Sequence, residues 1–433
     1  MDNNAASTAA TGTPEEGSAD RILSIDIFRG LTIVSMIFAN TSTKMGLPWW
    51  MEHANHTEGK GQLITWPDLI FPAFLFVMGI AIPLALEKRL AKGESWQQVV
   101  GHVVVRGLLL MWLGGVLYGF GINGEAMGIS IAVWVTTGFV ALGALLIDWP
   151  TKSSDSGAKP IWIWVLRAAA VVYFLWATTA FRGAEESAFF KASGFTFSIL
   201  GLLGFGYITA SIIWLATRKA MLARLAVYGL IILFGMHLQQ DESFLKQWFP
   251  TVIGYLGLPG SFADRGSIVL AGTFLGDVLL GRRAPSPWMR RPRAFLAVFG
   301  LGLLVASALA DGDFFKTIVG LRKTLFCTGL CTLGFLAIWK IELVSGTKRV
   351  FKAITRPLIQ VGHNPLFTYS LQFCLGGILA LIVGNKAWVD AIEGYILFGA
   401  KGWLGVLYTV LPYTIVVVLL TSLANRFRLF MKL

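Results

Sequence analysis

The residues of this sequence most able to do chemistry are ionisable side chains that lie within or beside apolar segments. Asp26 and Arg29 are three residues apart in the first apolar run, so on a helix they share a face and can pair. The pair has two interpretations: it anchors the helix at a membrane interface, or it forms a cationic mouth for an anionic ligand from the cytoplasm. Arg106 and Arg167 also lie in or near apolar runs, where snorkelling to an interface accounts for them.

A second set of reactive groups lies between the first two apolar runs, where His53, His56 and Glu58 occur close together. A neutral imidazole is a suitable general base for an amine or hydroxyl nucleophile, and it can also carry an acyl group covalently. Asn40 ends the preceding run and Asp68 begins the next one. Helix capping explains both equally well, since asparagine is common at helix C-termini and carboxylates favour N-termini.

The three cysteines give no indication of a metal or redox site. Cys327, Cys331 and Cys374 all lie within apolar runs, and neither a CxxC pair nor a matching histidine pair occurs. We therefore predict that they are packing residues inside helices and that the protein holds no metal.

Composition places the chain in a membrane. Of its 433 residues, 55% are hydrophobic and 14% are charged, against about 25% charged in soluble domains. This excludes an ordinary soluble enzyme, a disordered protein and a secreted disulfide scaffold. The net charge of +12 comes from short basic clusters between apolar runs, which is typical of cytoplasmic loops and not of a nucleic-acid interface.

Twelve apolar runs predict the fold class, an all-α polytopic transmembrane bundle of about 10–12 helices, because several runs are shorter than the ~20 residues of a straight crossing. Residues 1–20 are polar and are expected to form a disordered cytoplasmic tail before a membrane domain of residues 21–433. The runs lie near residues 22–39, 66–86, 99–120, 129–147, 161–181, 195–217, 225–239, 267–280, 294–309, 324–342, 366–383 and 404–423.

The distribution of lysine and arginine predicts the orientation. With twelve spans, every basic cluster falls on the same side as the N-terminus, so both termini are expected in the cytoplasm of a bacterial cell, with the chain in its inner membrane. The loop of residues 41–65 then lies on the extracytoplasmic side.

Several of these residues also form a family pattern. The segments RILSIDIFRGLTIVSMIFAN, MEHANH and WPDLIFPAFLFVMGIAI resemble the opening of the heparan-alpha-glucosaminide N-acetyltransferase family and its bacterial transmembrane acyltransferase relatives. Two later segments, FSILGLLGFGYITASIIWL at 197–215 and VGHNPLFTY at 361–369, are similar to further motifs of that family and follow in the same order.

The resemblance implies roles for five residues. His53 matches the active-site histidine, Asn40 the asparagine at the end of the first helix, and Asp68 the acid of a D-L-x-F-P motif, so the resemblance makes these three the expected catalytic residues. Asp26 and Arg29 match positions near which the family takes up acetyl-CoA. The segment between the His-Ala pair and the D-L-x-F-P acid is several residues longer than in the family pattern, so His56 remains the alternative catalytic histidine.

The implied reaction moves an acetyl group from cytoplasmic acetyl-CoA to an amino sugar, either a terminal glucosamine or a glucosaminide, on the extracytoplasmic side. The histidine is either the base or the acetyl carrier. Alternatives are an O-acyltransferase acting on cell-envelope glycans and a secondary transporter of amino sugars, although the SIDIFRG and PDLIFP blocks show no convincing repeat in the second half. The resemblance is compatible with a homodimer, for which the sequence identifies no interface.

Overall fold

The computed structural model describes residues 22–43, 45–52, 64–118, 122–150, 159–183, 188–189, 198–239, 243–249, 264–281, 291–310, 321–345, 348–384 and 402–432. The predicted tail at residues 1–20 lies outside them, as do His53, His56 and Glu58.

The protein is an all-α bundle, as predicted from its apolar runs. Thirteen helices of at least 13 residues occur in the described part of the chain. They are α1 (Leu23–Thr41), α2 (Trp66–Ala91), α3 (Trp96–Tyr118), α4 (Ile131–Leu146), α5 (Ile161–Ala180), α6 (Ile199–Thr217), α7 (Met221–Gln239), α8 (Ser267–Leu279), α9 (Pro292–Leu309), α10 (Leu321–Ser345), α11 (Arg349–His363), α12 (Pro365–Val383) and α13 (Gly402–Arg426). Shorter helical turns are Trp49–Met51, Gly124–Met127 and Phe244–Trp248.

Nine of the described helices are long and apolar enough to cross a membrane, and the apolar stretches Ile131–Leu146 of α4 and Met221–Gly235 of α7 are shorter. Each of the twelve predicted runs coincides with a helix. Large apolar side chains on α5 point away from the bundle, among them Ile161 (82% exposed) and Val172 (65% exposed). Such a surface needs an apolar solvent, so the chain is an integral membrane protein. The cytoplasmic placement of both termini stays a prediction.

One helix, α11, is absent from the sequence prediction. It carries basic residues and Pro357, and its apolar and polar residues fall on opposite faces, so no continuous apolar run marks it. It packs along α1, although more than 300 residues separate the two helices in sequence.

Glycine allows several helix pairs to approach until their backbones touch. Helix α8 is buried at every residue from Ser267 to Asp277 and packs on α2. A methyl group added to Gly79 would collide with the carbonyl oxygen of Val269, and one added to Gly272 would collide with that of Phe76. Small residues at membrane-helix crossings favour association in this way, because they bring backbones into van der Waals contact.

The crossing of α1 and α11 is equally close. A Cβ atom on Gly30 would collide with the backbone carbonyl of Leu358, and a Cβ atom on Gly362 would collide with the backbone of Asp26. The two glycines therefore determine how closely the helices approach.

A small antiparallel sheet returns the C-terminal segment to the bundle. Strand β1 (Ile147–Asp148) pairs with β2 (Phe430–Met431). The Asp148 carboxylate accepts hydrogen bonds from Lys159 at 3.0 Å and Lys432 at 2.9 Å, and these bonds lower the pKa of Asp148 to about 2. The Asn364 side chain, at the start of α12, donates to the Leu429 carbonyl at 2.7 Å and accepts from the Met431 amide at 3.1 Å. The position of Lys432 is thereby fixed.

We predict that Gly30→Ala and Gly362→Ala each destabilise the protein by about 1–3 kcal/mol or more, because the added methyl must push two backbones apart. Thermal unfolding of the purified protein in detergent measures the effect. Gly302→Ala in α9 is the matched control, since an added Cβ there meets nothing within 4 Å and alanine favours helix. Equal unfolding temperatures for the Gly30→Ala and Gly302→Ala variants would contradict backbone contact between α1 and α11.

Candidate active site

Two of the motifs singled out in the sequence contact each other at the start of α1. The buried Asp26 carboxylate lies 3.6 Å from Nη1 of Arg29 and 3.3 Å from Nε2 of His363. Nη1 of Arg29 also donates a hydrogen bond to the Gly362 carbonyl at 3.1 Å. Asp26 and Arg29 therefore do pair, and the pair joins the SIDIFRG segment to the VGHNPLFTY segment.

A cavity of about 550 Å³ extends along α1 from this contact. Arg29 lines it near the start of α1 and Asn40 lines it near the end of that helix. Eleven residues separate them, which corresponds to about 16 Å along a helix axis. Between them the wall is mostly apolar and includes Met36, Ile70, Phe71, Phe74, Val77, Met78, Leu110 and Leu203.

Two more cations and a tyrosine line the same cavity. Arg106, on α3, lies over the ring of Tyr207 with 5.2 Å between the guanidinium carbon and the ring centroid. Arg106 was expected to reach an interface by snorkelling, and the structure shows that it also lines the cavity. Lys432 reaches the wall because β2 pairs with β1, and Tyr369 comes from the VGHNPLFTY segment of α12. The cavity is thus lined by three cations, of which Arg29 is paired with Asp26 and Lys432 with Asp148.

At the other end of the cavity, Asn40 and Pro67 both line the wall. Asp68, next in sequence, is buried at the start of α2, where its Oδ2 atom accepts hydrogen bonds from the Thr65 hydroxyl at 2.8 Å and the Thr65 amide at 3.4 Å. The bond from the Thr65 amide is one half of a capping box, whose other half joins the Asp68 amide to the Thr65 side chain, and this capping is the structural interpretation of Asp68. Asn40 and Asp68 therefore lie at the same end of the bundle.

The chain that leads to His53 is anchored beside Asn40. Met45, Leu47 and Met51 are buried in a small apolar cluster with two residues of α13, against which Phe38 packs. The amide of Gly402 donates to the Met45 carbonyl at 2.6 Å. In this part of α13 the backbone forms a π-helical turn, Val406–Val410, a feature frequent at functional sites.

The arrangement suits an elongated ligand with anionic groups at one end and a reactive group near Asn40. The cations of the wall would pair with phosphates, and the apolar wall would hold a flexible chain. Among the described residues, no group of three His, Cys, Asp or Glu side chains could hold a metal ion. Cys327 and Cys331 are buried free thiols, and Cys374 is partly buried.

Neither the convergence of three cations nor the position of Tyr369 could be read from the sequence. Arg106 and Lys432 are isolated basic residues near an apolar run and near the C-terminus, and nothing in their spacing relates them to Arg29. Only the packing of α3, α12 and β2 around α1 brings these side chains to one cavity.

The chain is similar to known proteins over part of its length. The sequence model of a domain of unknown function (DUF5009) matches residues 21–279. The chain is 35% identical over 100 residues to heparan-alpha-glucosaminide N-acetyltransferase of Mus musculus and 34% identical over 94 residues to the Homo sapiens protein. These stretches cover 23% and 22% of this chain but 14% and 13% of the two relatives.

The similarity confirms the resemblance found in the motifs, over a part of each relative only. The DUF5009 match is broader, since residues 21–279 are more than half of the 433-residue chain. The protein therefore belongs to the DUF5009 family.

Proposed function

We propose that this protein is a membrane acetyltransferase that moves an acetyl group from acetyl-CoA on the cytoplasmic side to the amino group of a sugar on the other side. The observation that carries the proposal is the single cavity with three cations on its wall and Asn40 at one end. The partial similarity to two N-acetyltransferases supports the same reaction. The acceptor class, a terminal glucosamine or glucosaminide, belongs to the proposal.

In this proposal the cavity binds the donor along its length. Arg29, Arg106 and Lys432 pair with the phosphates of acetyl-CoA, because charge-assisted hydrogen bonds to phosphate are strong and geometrically specific. The apolar wall holds the pantetheine arm, and the thioester reaches Asn40. Only the acetyl group then changes side, so the charged nucleotide never enters the apolar interior of the bilayer.

The chemistry would take place beside Asn40. The amine lone pair of the sugar attacks the thioester carbonyl carbon, His53 accepts the amine proton, and the carbon–sulfur bond breaks to release the thiolate of CoA, which then takes up a proton. Alternatively, a ring nitrogen of His53 attacks the thioester carbonyl carbon first and expels the thiolate of CoA, which takes up the proton released from the ring. The amine then attacks the acetyl group, and its proton passes to the departing imidazole. In both routes the Asn40 amide donates a hydrogen bond to the carbonyl oxygen as negative charge develops there.

The two acidic residues of the proposed site, Asp26 and Asp68, hold other parts of the site in position. Asp26 lies against Arg29 and His363 and so orients the guanidinium beside the cavity. Asp68 caps α2 through Thr65 and so holds the chain that follows the His53 segment near Asn40.

We predict that His53→Ala lowers the acetyltransferase rate at least about 100-fold, because it removes the base or the acetyl carrier. Free-thiol release from acetyl-CoA by the purified protein, with a panel of amino sugars, measures the rate. His56→Ala is the matched control and is expected to retain most activity. Full activity in His53→Ala with loss in His56→Ala would transfer the role to His56. Uptake of labelled amino sugar into proteoliposomes without thiol release from any acceptor would instead establish a transporter.

Asn40→Ala is expected to lower kcat about 100-fold with little change in the KM for acetyl-CoA, because the lost hydrogen bond forms chiefly in the transition state. Steady-state thiol release at varied acetyl-CoA concentration separates the two constants. An unchanged kcat would show that Asn40 has only a structural role at the end of α1.

Arg106→Gln and Lys432→Gln are each expected to raise the KM for acetyl-CoA about tenfold with a smaller change in kcat, because each removes a hydrogen bond to a charged phosphate. Lys348→Gln removes an exposed charge before α11 and away from the cavity, and serves as the control. Equal KM values in all three variants would show that the cavity does not bind the phosphates.

A further inference from the structure

A second, separate groove lies where α11 meets the C-terminal end of α13. Its volume is about 680 Å³, and it is lined by Arg356, Pro357, Gln360, Leu419, Ser422, Leu423, Asn425 and Arg426. We propose that this groove binds an anionic phospholipid, with the phosphate between the two arginines and an acyl chain along the leucines. The site shares no lining residue with the acetyl-CoA cavity, so the inference is independent of the proposed function.

The charge of the groove points to an anionic ligand. Arg356 and Arg426 come from different helices, are both exposed, and have no hydrogen bond or ion pair with any described residue. Two guanidinium groups facing one groove repel each other unless an anion lies between them. Guanidinium groups bind phosphate oxygens in a bidentate manner, which suits a phosphodiester headgroup.

The floor of the groove is held by hydrogen bonds. The Asn425 amide donates to the Gln360 carbonyl at 2.7 Å and to the Gln360 side-chain oxygen at 3.0 Å. This contact ties α13 to α11 between the two arginines in the lining. Ser422, half-buried one turn earlier on α13, donates its hydroxyl to the Val418 carbonyl at 2.9 Å, so its oxygen can still accept a hydrogen bond from a lipid glycerol hydroxyl. The groove is therefore formed by packed helices rather than by surface side chains alone.

The two leucines that line the groove favour a lipid over a free phosphate as its ligand. Leu419 and Leu423 are 61% and 47% exposed and follow each other by one turn along the membrane-spanning helix α13. An acyl chain would cover them, whereas inorganic phosphate would leave them exposed. Helix α11 also has the character of an interfacial helix, with Val350 and Ile354 exposed among basic residues, so the groove lies at headgroup depth.

Native mass spectrometry of the full chain in detergent tests the proposal, with phosphatidylglycerol and phosphatidylcholine titrated in parallel. We expect one phosphatidylglycerol molecule to bind about tenfold or more tightly than phosphatidylcholine. The double variant Arg356→Gln/Arg426→Gln is expected to lose this preference. The matched control, Arg349→Gln/Lys352→Gln, removes two charges from α11 outside the groove and is expected to keep it.

A third variant separates the groove from general charge attraction. Ser422→Trp keeps both arginines and fills the groove, so it is also expected to lose the bound lipid. Thermal unfolding in neutral detergent checks that each variant is folded. Retention of the lipid by the Arg356→Gln/Arg426→Gln variant, equal loss in the α11 control, or equal binding of phosphatidylcholine would each overturn the proposal.

Discussion

The close contact between the backbones of α1 and α11 is the constraint on which the candidate site depends. Gly30 and Gly362 leave no room for a side chain at this crossing, and the approach allows Arg29 to donate to the Gly362 carbonyl. It also brings Asp26 beside His363. Separating the helices by the thickness of a methyl group would break these contacts, and Arg29 would no longer be held at the cavity wall.

The arrangement of charge follows from the cost of burying ions in a membrane. A charged group at membrane depth is tolerated when it is paired or faces a polar cavity. Arg29 is paired with Asp26, and Arg106 lies over an aromatic ring while facing the cavity. Burying these cations in a bilayer costs free energy, but the same cations make the cavity a favourable site for phosphates. The apolar stretch beyond them admits a thin flexible arm and would exclude the nucleotide.

Much of the fold could be predicted from the sequence, and the reason is the length of the apolar runs. All twelve predicted runs coincide with helices, because hydropathy is a local property. The pairing of α1 with α11 could not be predicted, since the Arg29–Gly362 contact joins residues 333 positions apart. The place of Arg106 on the cavity wall could not be predicted for the same reason, because its isolated position in an apolar run does not reveal which helix it faces. The position of Lys432 depends on a strand of two residues, too short to leave a pattern.

If one cavity holds acetyl-CoA from the cations to Asn40, the ligand can be observed there. The decisive experiment is an electron cryo-microscopy structure with an acetyl-CoA analogue whose thioester sulfur is replaced by a methylene group. We expect phosphates at Arg29, Arg106 and Lys432 and the acetyl carbonyl oxygen within hydrogen-bonding distance of the Asn40 amide. Density for the analogue outside this cavity, or with its acetyl group at the Arg29 end, would contradict this expectation.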